Sequence, residues 1–238
     1  MKKIILVLVL FMFGSIVYAE ECTYHNSVGV DMDCNLYNEL LNYYTNTFLE
    51  FMPQSEYDSI KDNNPDDIVV STHREKLPEL FSRDAYYATS FKEIRIVKNG
   101  SFVTITLNWL QNPSVRSYDV FAVRLSTGVS INGTIAFRQI SYNGGNAIIS
   151  TTGSKQTFSN GQGVSFKLST YSDLESSLTF YISGGGILYS SYQHATSSVT
   201  LNQSKNYTIS SLGYGNTTLF ANSVAGKYDG MAGVYIPV

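Results

Sequence analysis

The chain has 238 residues, of which 13% are aromatic and 15% charged, and carries a formal net charge of −3. Ten Lys and Arg residues spread over positions 91–238 without a run exclude a nucleic-acid-binding surface. Two cysteines cannot by themselves build a four-ligand zinc site, so neither a metal nor a cofactor is expected.

In chain order, the first element is a signal peptide over residues 1–19. Lys2 and Lys3 form a basic start, an apolar run extends from Ile4 to Phe13, and Val17-Tyr18-Ala19 is a small-x-small cleavage site. The apolar run is about half the roughly 20 residues that a membrane-spanning helix needs. Cleavage after Ala19 and release from the cell surface, or retention on it, are therefore expected. Cys22 lies two residues too late for lipidation. In an oxidising exterior, Cys22 and Cys34 are expected to form one disulfide, worth about 3 kcal/mol in the chain-entropy model.

Residues 20–90 hold 14 acidic and 4 basic side chains, whereas residues 91–238 hold 5 acidic and 10 basic. The first stretch is thus an acidic segment and the second a basic domain, and docking of one on the other is the simplest use of that asymmetry. Within the acidic segment, Leu36, Leu40, Leu41, Tyr44, Phe48 and Phe51 recur at spacings of three and four. That pattern predicts one amphipathic helix over 35–51, ended by Met52-Pro53. Ser55 is a candidate cap for a short second helix. Asp62, Asn64 and Asp66 mimic the start of a calcium loop, but Asp67 replaces the required Gly and His73 the closing Glu, so a solvated turn is predicted.

From Glu93 the period changes to two. Val103, Ile105, Leu107 and Trp109 alternate with Thr104, Thr106 and Asn108, and Phe121, Val123 and Leu125 alternate with Ala122 and Arg124. Further strands are predicted at 94–97, 134–140, 147–151, 164–168, 178–182, 187–192, 198–201, 207–210, 217–221 and 234–236. Asn143-Gly144-Gly145, Asn160-Gly161, Gly184-Gly185-Gly186 and Gly213-Tyr214-Gly215 punctuate them. About ten short strands at spacings near twelve residues predict an antiparallel β-sandwich or jelly roll over 91–238 behind a short α-helical N-terminal segment.

The strings Cys34-Asn-Leu-Tyr-Asn-Glu-Leu-Leu, continuing to Met52 and Glu56-Tyr57, NWLQNPSVRSYDVFAVRLS (108–126) and YSSYQHATSSVTL (189–201) carry a resemblance. The chain resembles uncharacterised secreted proteins of Gram-positive bacteria, in which a Cys and a Tyr-Asn-x-Leu helix precede a β-rich domain. The resemblance implies an exported β protein and no particular activity.

Catalytic signatures are missing: the sequence has no G-x-S-x-G, H-E-x-x-H or phosphate-binding glycine loop. The enzymatic alternative is an extracellular hydrolase centred on His194, with Ser190 or Ser191 and an orienting Asp119 or Asp229. A glycosidase needs two facing carboxylates, and Asp173 and Glu175, set among serines, read as a loop. Tyrosine can floor a sugar groove with its ring and bond the sugar with its hydroxyl. Tyr181, Tyr189, Tyr192 and Tyr207, with the Gln193 amide, are accordingly the candidate ligand-binding residues. Trp109 reads as core. The five N-x-S/T sequons, at Asn99, Asn132, Asn202, Asn206 and Asn216, arise by chance in a bacterial chain rich in these residues. The sequence thus predicts a non-catalytic binding module whose partner is a polysaccharide or cell-wall polymer. A self-assembling surface protein is the structural alternative.

Overall fold

The computed structural model describes residues 22–75, 91–210, 217–230 and 233–238. The predicted signal peptide, the Gly213-Tyr214-Gly215 turn and the Asn216 sequon lie outside them. No described helix is long and apolar enough to cross a membrane.

The chain is a mostly-β antiparallel sandwich with a short helical N-terminal lobe. One six-stranded sheet runs in the order β3 (Val69–Arg74), β4 (Lys92–Asn99), β5 (Phe102–Trp109), β11 (Ser172–Gly184), β7 (Val129–Asn143) and β8 (Asn146–Ser150). The facing sheet runs β15 (Tyr228–Gly230), β12 (Ile187–Ala195), β6 (Tyr118–Leu125), β10 (Gly161–Lys167) and β9 (Ser154–Phe158), with β16 (Val234–Pro237) also paired to β12. Alternation puts Val103, Ile105, Leu107 and Trp109 of the first sheet against Phe121, Val123, Leu188 and Tyr192 of the second, and these side chains form the main core. Trp109 is core, as its place in the alternation predicts.

The outer face of the first sheet is buried as well. Two short strands, β1 (Thr23–His25) and β2 (Asp31–Asp33), form a hairpin tied by the Cys22–Cys34 disulfide. Asn26 holds its loop from inside, accepting from Val28 N and Val30 N and donating to Leu49 O and Met52 O. The predicted 35–51 helix is two helices, α1 (Cys34–Leu40) and α2 (Asn46–Glu50). The break is chemical: Thr45 is extended and its hydroxyl caps α2 through Phe48 N. The next helix, α3 (Gln54–Asp58), starts after Pro53, not at a Ser55 cap. The calcium-loop mimic is a solvated 3₁₀ turn at Pro65–Asp67, capped by Asn64.

This lobe packs Leu40, Tyr44, Phe48, Leu49, Met52 and Ile60 onto Val97 and Phe102 of the sheet. Polar contacts complete the seam. Glu56 pairs with Arg138 at 3.1 Å and accepts from Thr179, while Arg95 donates to Tyr43 O. Acidic lobe and basic domain therefore meet through ion pairing as well as apolar contact. β3 shows that the acidic stretch is not wholly helical, since it adds an edge strand to the sheet.

Glu175 lies under the same seam, on β11 and not in a loop. The loop signal belongs to Asp173, whose φ of 49° marks a bulge in the pairing of β11 with β7. Burial pushes the Glu175 carboxyl up to about 7, against opposing pulls from the Thr45 hydroxyl, Arg138 and Arg95. The folded protein thus holds this proton more tightly than the unfolded chain does. Its contribution to stability is present below about 4.5 and is lost as pH rises through about 7. Glu175→Gln is expected to flatten that part of the stability curve. At about pH 8 it should leave the protein more stable than wild type by on the order of 2 kcal/mol, as urea melts at several pH values would show.

The predicted strand at 198–201 is instead the start of helix α4 (Leu201–Ser204). Thr200 caps it in a capping box with Gln203, a spacing visible in the sequence. Residues 199–210 and 217–225 then fold over part of the second sheet's outer face. There Tyr207 and Ile209 of β13 (Tyr207–Ile209), paired with β14 (Thr218–Phe220), pack on Val120 and Ala122.

Candidate functional site

The remainder of that outer face carries a cross-strand row. Strand register places Tyr235 of β16 beside Tyr189 of β12, Tyr189 beside Arg124 of β6, Arg124 beside Gly161 of β10, and Gly161 beside Phe158 of β9. Side chains directly opposite in antiparallel strands share a face, so five strands contribute to one line. The two tyrosine rings lie 6.0 Å apart at 37°, and the Arg124 guanidinium sits 3.8 Å from the Tyr189 ring centroid. That contact is a cation–π interaction, worth about 0.5–2 kcal/mol. Tyr235 is 48% exposed and Tyr189 partly so. Gly161 leaves a dip between Arg124 and Phe158, and a side chain there would collide with the Val123 carbonyl. The row is an aromatic ledge backed by a cation that is itself only 8% exposed, a surface suited to the flat face of a sugar ring.

The sequence-predicted residues separate on this map. Tyr189 belongs to the row. Tyr181 is 40% exposed, but on the opposite sheet, where its hydroxyl meets Ser59 of the lobe. Tyr192 is fully buried in the main core, Tyr207 is buried over the bare Gly163, and Gln193 is buried. Tyr192 and Gln193 lie where β12 is covered on both faces, and Tyr207 is on the inward face of β13, so none of them presents a ring or amide to a ligand. Tyr235 and Arg124 complete the row and were not singled out from sequence. Both alternate as outward residues of their strands, but only the register, which periodicity does not supply, sets them beside Tyr189.

His194 has the orienting carboxylate expected of it and lacks the rest. Its Nδ1 is 2.9 Å from Asp119 Oδ2, and Asp119 also accepts from the Tyr192 hydroxyl and from Ala195 N. Burial and this carboxylate push the Tyr192 phenol well above its usual range. Ser190 Oγ donates to Ala122 O, and Ser191 Oγ pairs with Thr217 Oγ1 and accepts from Thr217 N. Both candidate nucleophiles are therefore committed to backbone and side-chain bonds away from the imidazole. The His194 ring packs edge-on to Trp109 at 4.8 Å and is 2% exposed. The Asp119–His194–Tyr192 set is an interior polar network, not a triad in a cleft. Among the described residues no group of three His, Cys, Asp or Glu side chains is placed to hold a metal.

A smaller concavity of about 160 Å³ opens at the other end of the sheet, lined by Tyr118, Ser150, Thr152, Ser154, Lys167 and Leu201 among others. The Lys167 ammonium sits 5.4 Å from the Tyr118 ring centroid.

No protein-family model and no curated protein matches the chain. Among solved structures it is similar to the crystal structure of the KRT10-binding region domain of the pneumococcal serine rich repeat protein PsrP. The likeness has 15% identity and a TM-score of 0.32, and covers 53% of this chain and 84% of that one.

Proposed function

We propose that the chain is an exported, non-catalytic binding module that acts at or outside the cell surface. In this reading it holds a polysaccharide or cell-wall polymer on the Tyr235–Tyr189–Arg124 row. The observation that carries the reading is the row itself, a partly exposed pair of tyrosine rings and a cation in line across one sheet. The disulfide agrees with an oxidising exterior, and kinship with secreted proteins of Gram-positive bacteria is part of the same reading.

The test is an array of glycans and cell-wall polymers probed with the folded protein. Saturable binding to at least one polymer is expected, weakened at least about tenfold in Tyr189→Ala/Tyr235→Ala, equivalent to about 1.4 kcal/mol. Silence across the array overturns the reading. Binding that survives this pair of changes but is lost in Tyr118→Ala moves the site to the smaller concavity.

Self-assembly is the second reading, and one observation favours it. The edge strand β8 carries Ile148 and Ile149, both exposed and without a charged neighbour in the strand, whereas the other sheet's edge β9 carries a protective Lys155. Concentration-dependent association in sedimentation velocity, abolished by Ile148→Lys, would support it.

A further inference from the structure

Lys92 is the one fully buried ammonium among the described residues, with a side chain that is 0% exposed. It opens β4 in one sheet and points to the end of the sandwich where Asp229, on β15 of the other sheet, turns inward. Its Nζ lies 2.9 Å from Glu75 Oε1 and 3.4 Å from Asp229 Oδ2. The Trp109 ring covers it at 5.4 Å, and the flanking carboxylates are themselves mostly covered, with side chains 23% and 27% exposed. The far oxygen of Asp229, Oδ1, accepts the backbone N–H of His194 at 3.1 Å. Glu75 is fixed from its own backbone, its N–H donating to Lys92 O at 3.1 Å.

An ammonium without water is costly to keep charged, and a carboxylate held against it under an aromatic lid is placed for condensation. We propose that Lys92 and Asp229 are joined in the folded protein by an intramolecular isopeptide bond, formed with Glu75 as the proton shuttle. Glu75 takes a proton from the Lys92 ammonium and hands it to Asp229 Oδ2, which makes the aspartate a neutral acid and the lysine a free amine. The amine attacks Cγ, and the charge that develops on Oδ1 is held by the His194 N–H. A second proton passes from nitrogen through Glu75 to Oδ2, the Cγ–Oδ2 bond breaks, and Oδ2 leaves as water. The ion pair becomes an amide and one water, and Glu75 ends as it began. Burial holds the Glu75 carboxyl above its usual range, which suits a group that must both take and return a proton.

The bond would clamp the two sheets together and close the chain from residue 92 to residue 229, a device suited to an exported protein under mechanical or proteolytic load. Intact-mass spectrometry of the purified, reduced chain, compared with the mass calculated from its observed first residue, tests the proposal. The expected mass is lower by one water, with the loss mapping by peptide fragmentation to a branched Lys92–Asp229 peptide. Folded Glu75→Gln is expected at its full mass, as is Lys92→Met. A full mass for folded wild type overturns the proposal, and so does a water loss that maps to any other pair. A bond that forms undiminished in Glu75→Gln removes Glu75 from the step. The wild-type mass decides the main point even where a variant fails to fold.

Discussion

Asp119→Ala is expected to lower the unfolding free energy by about 3–5 kcal/mol, the range for removing one partner from a buried charged network. Asp119 is 0% exposed and serves three donors from β12: the Tyr192 hydroxyl, the His194 ring and the Ala195 amide. Removing the carboxylate leaves each of these donors without its acceptor in an interior that water does not reach, and each orphan costs about 1–3 kcal/mol. The carboxylate also fixes β6 against β12 at the centre of their sheet, so the loss falls on the sandwich itself. Guanidinium melts of wild type and variant measure the effect. A change of under about 1 kcal/mol would show that the network is dispensable to the fold, and would return His194 to consideration as a functional group.

Phe48→Ala is expected to cost a similar amount, about 3–5 kcal/mol, by a different route. Phe48 is 0% exposed at the middle of the seam between lobe and sheet. Its ring stacks on Tyr44 at 5.4 Å and receives the Arg138 guanidinium at 5.0 Å. Truncation leaves a cavity that short helices on either side of Thr45 are poorly able to close. It also uncovers the Glu56–Arg138 pair, which is worth much less once water reaches it. The same melts check the size of the loss, and faster proteolytic cleavage within residues 22–60 would locate it in the lobe.

The sandwich was readable because period-two alternation records which face of a strand meets the core, as in Phe102–Trp109. What alternation could not say is whether the other face meets water. Thr104 and Thr106 look like solvent-facing residues in the sequence, yet both are buried beneath the helical lobe. Polar edge strands gave no signal for the same reason: Ser154–Phe158 buries little and so carries little pattern. For the candidate site, the sequence offers tyrosine-rich strands but not their registration. Tyr189 and Tyr192 are three residues apart on one strand, and the pleat sends one outward and the other into the core. Register then pairs Tyr189 with Tyr235, which is 46 positions distant in the chain and unremarkable on its own.

Two exposed tyrosines among the described residues lie on opposite sheets, Tyr235 beside Arg124 and Tyr189 on one and Tyr181 beside the lobe on the other. Titration of solubilised cell-wall polymer, with its anionic chains attached, into wild type, Tyr235→Ala and Tyr181→Ala therefore tests the binding face directly. Both side chains are surface residues, so both variants should fold, and melts recorded alongside confirm it. The account predicts saturable binding to wild type, unchanged affinity in Tyr181→Ala and affinity at least about tenfold weaker in Tyr235→Ala. No binding to wild type, or a loss confined to Tyr181→Ala, would contradict it.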